Sequence, residues 1–272
     1  MCEPHRSFIS SNLVESLRCD KPNYPSKTTI QIKKSWVRPR FMFVFENGDL
    51  NTAAHCLAEN MHEPFEPFPI ASVAVQQSVR EEFIARVKDR FHQLAPHVAL
   101  HPNFERSQKE LQMGGIKYEV ASNENAPAIA SPIIVTDNIT HLFFSTTPSG
   151  VVTLKSFETV NEASQIFIKE QPPFDVIHVF DESIVTVYEL ASRISGIQFY
   201  VNCIEVCLLP ILPFYGMRHA CSKLYDGYHY ETLELGAYWR IIVFPYKTSF
   251  VSRCCCPPGE CICSLQANNC CD

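Results

Sequence analysis

The residues with the most obvious chemical potential lie at the end of the chain. Seven of its thirteen cysteines fall within residues 254–271, in the run Cys254-Cys255-Cys256-Pro257-Pro258-Gly259-Glu260-Cys261-Ile262-Cys263 and the closing pair Cys270-Cys271. Thiolates at Cys-x-Cys spacing can chelate a soft ion such as Zn or Cu(I). A structural zinc module usually carries paired Cys-x-x-Cys units around a defined loop, and this run has none. S-acylation of Cys254, Cys255 and Cys256, beside Arg253 and Lys247, is a second chemistry. A disordered, reduced tail is the third reading, and whether any metal binds is left open.

The other six cysteines, Cys2, Cys19, Cys56, Cys203, Cys207 and Cys221, are scattered. The first residues lack the apolar core of a secretory signal, so the expected setting is cytoplasmic, where thiols stay reduced. These six then read as small apolar side chains. Ten histidines show no His-Glu-x-x-His spacing, and neither a Gly-x-Ser-x-Gly elbow nor a Walker-type loop is present. A net charge of −6 and a pI of about 5.9 argue against nucleic acid as a partner. The most apolar stretch, Ile197 to Gly216, contains Asn202, Glu205, Pro210 and Pro213, so it reads as buried strand and loop and not as a transmembrane segment.

Any site must be positioned by the elements that the hydrophobic pattern sets out. Phe41 to Phe45 reads as a strand ending at the turn Glu46-Asn47-Gly48, after which Asp49 can cap a helix to about Asn60. Pro64, Pro67 and Pro69 exclude regular structure from the next segment. Ser72 to Gln76 reads as a strand. Ser78 is expected to cap a helix whose Val79, Phe83, Val87, Phe91 and Leu94 share one face. Residues 96–130 are weakly patterned, with a turn at Gly114-Gly115. Strands are expected at 132–136, 151–154, 176–180, 197–201 and 239–244. Helices are expected at 160–169 and from Asp181 or Ser183 to Ile194, with Gly196 as a stop. Alternation of strand and helix, with strands apolar on both faces, is the pattern of an α/β domain with a mostly parallel sheet.

Five segments, in order, resemble the aldehyde dehydrogenase family. Val44 to Ala53 is similar to that family's strand and "ADLD" helix start. Val73 to Ser78 with Glu82-Phe83 is similar to "VLVQES…DEF", and Val151 to Phe157 with Glu162-Ala163 to "VVTVLKF…EEA". Gly196 to Asn202 is similar to "AGMVWVN", and Leu212 to Gly216 to "LPFGG". The resemblance covers about residues 35–245. It implies the three-layer catalytic domain of that family, without the N-terminal cofactor domain. The leader has no glycine from which a phosphate-binding loop could be made.

In that family a cysteine thiolate attacks the aldehyde, hydride passes to NAD or NADP, and a glutamate activates water. Counting along the matched segments puts the nucleophile position at Pro67, the general-base position at Ser35 and the cofactor-contacting carboxylate position at Thr146. The upstream cysteine closest to Pro67, Cys56, lies on the expected helix and reads as a buried side chain. Asn202 is retained and reads as a cap on a strand end. The resemblance thus implies a catalytically inactive pseudoenzyme serving as an interaction or regulatory module, with no catalytic residue and no cofactor. NAD or NADP enters only if aldehyde oxidation survives, and a role carried by the tail is a further alternative. The expected organisation is an irregular leader at 1–34, the domain at 35–250 and the Cys-rich, disordered tail at 251–272. Two readings stand for the strand from Trp239 to Phe244: an edge pairing with another subunit in an oligomer, or closure of the chain's own sheet.

Overall fold

The run Phe41-Met42-Phe43-Val44 has no exposed surface at all. A computed structural model describes residues 39–246, apart from 123, 145, 146, 171 and 205. In it this run forms the middle of a ten-stranded sheet, as strand β1 (Arg40–Val44). Successive side chains of a strand point to opposite faces. Phe41, Phe43 and Phe45 therefore join Phe167, Phe174 and Leu190 on one face, while Met42 and Val44 join Leu57, Val75 and Phe83 on the other. The Phe41 ring meets Phe167 and Phe174 edge-on, each at 5.2 Å between centroids.

In chain order the next elements are α1 (Leu50–His62), β2 (Ile70–Gln76), α2 (Arg80–Lys88), α3 (Pro96–Ala99), α4 (Pro102–Gly114), β3 (Tyr118–Glu119), β4 (Ile134–Val135) and β5 (Val152–Phe157). Then come α5 (Val160–Lys169), β6 (Val176–Phe180), α6 (Ile184–Arg193), β7 (Gln198–Val201), α7 (Leu212–Gly216), β8 (Cys221–Tyr225), β9 (Tyr228–Leu235) and β10 (Tyr238–Pro245). The sheet order is β3-β4-β5-β2-β1-β6-β7-β10-β9-β8. From β4 to β10 every neighbouring pair is parallel; only β3, at one end, and the β9 and β8 pair, at the other, run antiparallel. Helices α1 and α2 cover one face and α5 and α6 the other, giving the expected three-layer α/β arrangement.

Local signals account for several of the boundaries. Asp49 caps α1, its carboxylate accepting from the N–H groups of Asn51 and Thr52. Thr159 caps α5 and Ser183 caps α6. Gly115, at φ 60°, ends α4 at the expected turn. Other expectations give way to tertiary structure. Ser78 caps nothing: its hydroxyl donates to Glu46, and a 3-10 turn (Gln77–Val79) leads into a shorter helix. Phe91 and Leu94 are buried as expected, but beyond the end of that helix. The weakly patterned stretch 96–130 contains α3 and α4, each opening on a proline. The β8–β9 hairpin is absent from the sequence pattern, because its residues are half-exposed and lack a long apolar run.

Gly196 serves close approach and not helix termination: a Cβ there would lie 2.5 Å from a side-chain carbon of Ile177. The end of α6 is held instead by Arg240. This arginine is fully buried and donates to the backbone carbonyls of Ala191, Ile194 and Ser195. Its strand, β10, is hydrogen-bonded to β7 on one side and β9 on the other. Within this chain, then, the strand around Trp239 to Phe244 closes the chain's own sheet, and the outermost strand at that end is β8. No helix among the described residues is long and apolar enough to cross a membrane. Cys207 is disulfide-bonded, against the expectation of a uniformly reduced set.

These buried polar groups have measurable effects on stability. Arg240→Met keeps the bulk but leaves three buried carbonyls without their donor, so unfolding in urea should show a loss of roughly 2–4 kcal/mol. His178, on β6, is buried against Tyr200, and burial together with the nearby Arg40 charge lowers its pKa to about 3. Below pH 6.5 the unfolded chain takes up a proton that the folded one refuses until about pH 3, so stability falls as pH falls through that window. His178→Phe removes this penalty. Relative to wild type it should gain about 2 kcal/mol between pH 7 and pH 5; an unchanged difference would contradict a neutral, buried His178.

Candidate functional site

Open parallel sheets usually take ligands outside the carboxyl ends of their strands, where the chain reverses its direction of winding. Here that point lies between β1, which connects through α1 to β2, and β6, which connects through α6 to β7. It is closed. Phe45 N–H donates to the Phe180 carbonyl at 2.9 Å, and a Cβ on Gly48 would lie 2.3 Å from the same oxygen. Asn202, at φ 49°, accepts from Asp181 N–H at 3.0 Å and donates to the Asp181 carbonyl, tying the ends of β6 and β7 together. The expected strand-end role of Asn202 is thus the one it performs.

Of the positions that the resemblance assigns to chemistry, Pro67 lies among the described residues, as does the upstream thiol Cys56. Pro67 is exposed in the segment joining α1 to β2. Cys56 points from α1 into the core, with 9% of its surface exposed. Ser35, Thr146 and the cysteine run lie outside the described residues. Cys203 is buried, its thiol donates to the Val243 carbonyl, and burial pushes its pKa up. No group of three or more His, Cys, Asp or Glu among the described residues could hold a metal ion.

An open cleft of about 520 Å³ lies elsewhere on the sheet, at the carboxyl ends of β2, β4 and β5. Gln77 lines it from the 3-10 turn before α2, Arg80 from the start of α2, Asp137 from beyond β4, and Glu162 and Lys169 from α5. Lys155 lines it from β5 itself. The cleft exists because β4 is short. Its ladder to β5 ends at Val135 opposite Thr153, whereas β5 continues beside β2 as far as Phe157.

Lys155 is the unusual group. It follows three apolar or hydroxyl-bearing neighbours on a core strand, and only 9% of its side chain is exposed. It is held by Glu170, whose side chain is wholly buried, at 2.6 Å. The other oxygen of Glu170 accepts from His141 N–H at 2.8 Å. Nε2 of His141 in turn lies 3.1 Å from the Ser149 hydroxyl. This resembles a serine–histidine–carboxylate relay in composition only. Glu170 meets the histidine backbone and not the ring, Ser149 is inaccessible, and burial lowers the His141 pKa to about 3, far from that of a useful base. The network fixes the lysine. No motif in the sequence marks Lys155, although a charge among Val152, Thr153, Leu154 and Phe157 is a visible signal.

Three solved structures of similar architecture are aldehyde dehydrogenases. A NAD-dependent benzaldehyde dehydrogenase from Corynebacterium glutamicum matches 65% of this chain and 42% of its own at 12% identity, with a TM-score of 0.49. A lactaldehyde dehydrogenase from Escherichia coli matches 62% and 39% at 12% identity, with a TM-score of 0.47. A betaine aldehyde dehydrogenase from Staphylococcus aureus, solved with NAD+, matches 62% and 38% at 15% identity, with a TM-score of 0.46. The chain thus spans about two fifths of the length of these enzymes. No curated protein sequence matches it. Residues 35–250 match the family described as "Protein of unknown function (DUF1487)". That match covers most of the chain, which therefore belongs to the DUF1487 family.

Proposed function

We propose that this protein is a non-catalytic, aldehyde-dehydrogenase-like module that binds another protein. The observation that carries the reading is the fate of the thiol. A nucleophilic cysteine must be an accessible thiolate. The position that corresponds to it in sequence holds Pro67, on an exposed segment, and the upstream thiol closest to it, Cys56, faces the core. Ser35 and Thr146, in place of two carboxylates, support the same reading from the sequence. What is left is a rigid sheet with a lined cleft along part of one strand, a surface suited to binding. The cytoplasmic setting belongs to this proposal. Cys56 and Cys203, neither of them in a disulfide, suit it, and the disulfide at Cys207 does not.

The test is calorimetric titration of the full chain with NAD and with NADP, and then assay of NADH formation with a panel of aldehydes. Neither heat of binding nor turnover is expected. Saturable binding with NADH formation would overturn the proposal, and loss of that turnover in Cys56→Ala would identify the nucleophile.

A further inference from the structure

The cleft beside β5 has the features of a place where a strand is missing. In a strand, the N–H and C=O groups of alternate residues point to the same side. Val152 N–H bonds Ile133 on the β4 side, so the backbone groups of Ser156, an even number of residues along, face that side too. β4 has ended by then: Asp137 and Asn138 form a bend, with Ile139 N–H bonding the Asp137 carbonyl. Backbone edges left in this state are templates for another chain. The sheet's two outer edges are protected. β3 is only two residues long, and β8 carries an exposed Lys223 at its middle. The carboxyl half of β5 has neither protection.

The cleft also has a charge preference. Its two acids are partly satisfied by their own backbone. Asp137 accepts from the N–H groups of Asn138 and Lys117, and Glu162 from Glu158 N–H. Of its cations, Lys155 is paired with Glu170, and Arg80 pairs only with its exposed neighbour Glu81, a contact that an incoming carboxylate can replace. Lys169 makes no ion pair among the described residues. An ammonium has three donors, and Lys155 uses one of them, on Glu170. An incoming strand would send alternate side chains to the two faces. Lys155 and Lys169 wait on the α5 side, and Arg80 on the α2 side.

We propose that an extended acidic peptide from a partner protein pairs with the carboxyl half of β5, its backbone on the Ser156 edge and its carboxylates on Lys155, Lys169 and Arg80. This rests on the reading of the chain as a binding module and names the kind of partner. The probe is a blocked pentaglutamate, titrated into the full chain and monitored by calorimetry. Its comparators are blocked pentalysine, glutarate, and two pentaglutamates N-methylated at one or the other alternate set of amides. Pentaglutamate should bind. One methylated set should lose at least tenfold in affinity and the other little, because a strand pairs through alternate residues only. Lys169→Glu and Arg80→Gln, both on the surface of the cleft, should each weaken binding severalfold with an unchanged thermal melt. Lys155 is left intact, since its loss would strand Glu170 in the core. Equal binding of both methylated peptides would overturn edge pairing. Pentalysine binding as tightly would overturn the charge preference. Glutarate binding as tightly would make the occupant a small carboxylate and overturn the peptide. Absence of all binding by a folded chain that is also inert to NAD and aldehydes would overturn this inference alone, whereas NADH formation would overturn the reading beneath it.

Discussion

Burial of β1 on both faces is the constraint on which the rest of the structure depends. A strand with phenylalanines at positions 41, 43 and 45 and apolar residues at 42 and 44 has no face to give to water. It needs helices above and below, and those helices arise naturally from crossover connections between parallel strands. Helices α1 and α2 supply one layer, α5 and α6 the other, and the parallel run from β4 to β10 is the result. The same demand ties down several buried polar groups in and beside the sheet. Arg240 is consumed in ending α6, Glu170 in fixing Lys155, and Asn202 in joining two strand ends.

Much of this is legible in the sequence because it is local. The apolar run at 41–45, the Asp49 cap and the Thr159 helix are written in a few adjacent residues, and they appear where expected. The features that are not legible depend on partners distant in sequence. Whether Ser78 caps a helix is decided by Glu46, and the end of α6 is decided by Arg240, on a strand that arrives much later. The α4 helix hides because its few buried residues, among them Phe104, Ser107 and Leu111, are widely spaced among polar ones. The β8–β9 hairpin hides for the opposite reason, since it lies at the rim with little to bury. The cleft is invisible because it is created by something lacking: β4 stops two residues in while β5 runs on.

On the proposed reading, fold and chemistry separate in this chain. The order of the sequence segments that resemble aldehyde dehydrogenases accords with a mostly parallel three-layer sheet, yet a fold by itself confers no activity. Gly48 lies against the Phe180 carbonyl at the point where the direction of winding reverses, and Cys56 and Cys203 are buried in the core. Lys155, which reaches the cleft with only 9% of its side chain exposed, is paired with a carboxylate, and removing either partner of such a pair is costly. Its retention at a cleft, where an apolar residue would close the core more simply, is consistent with a role in binding.

The proposed loss of chemistry is tested most directly at the thiol. In the aldehyde dehydrogenase reaction the attacked aldehyde, once it has given up hydride, remains on the cysteine as a thioester until water releases it. The full chain would be incubated with NAD and an aldehyde, quenched in acid, and its peptides mapped by mass spectrometry. No acylated cysteine is expected in the peptide that contains Cys56 and Pro67. An acyl group on Cys56 would contradict the central claim, because a thiol with 9% of its surface exposed would then have reached substrate and cofactor alike.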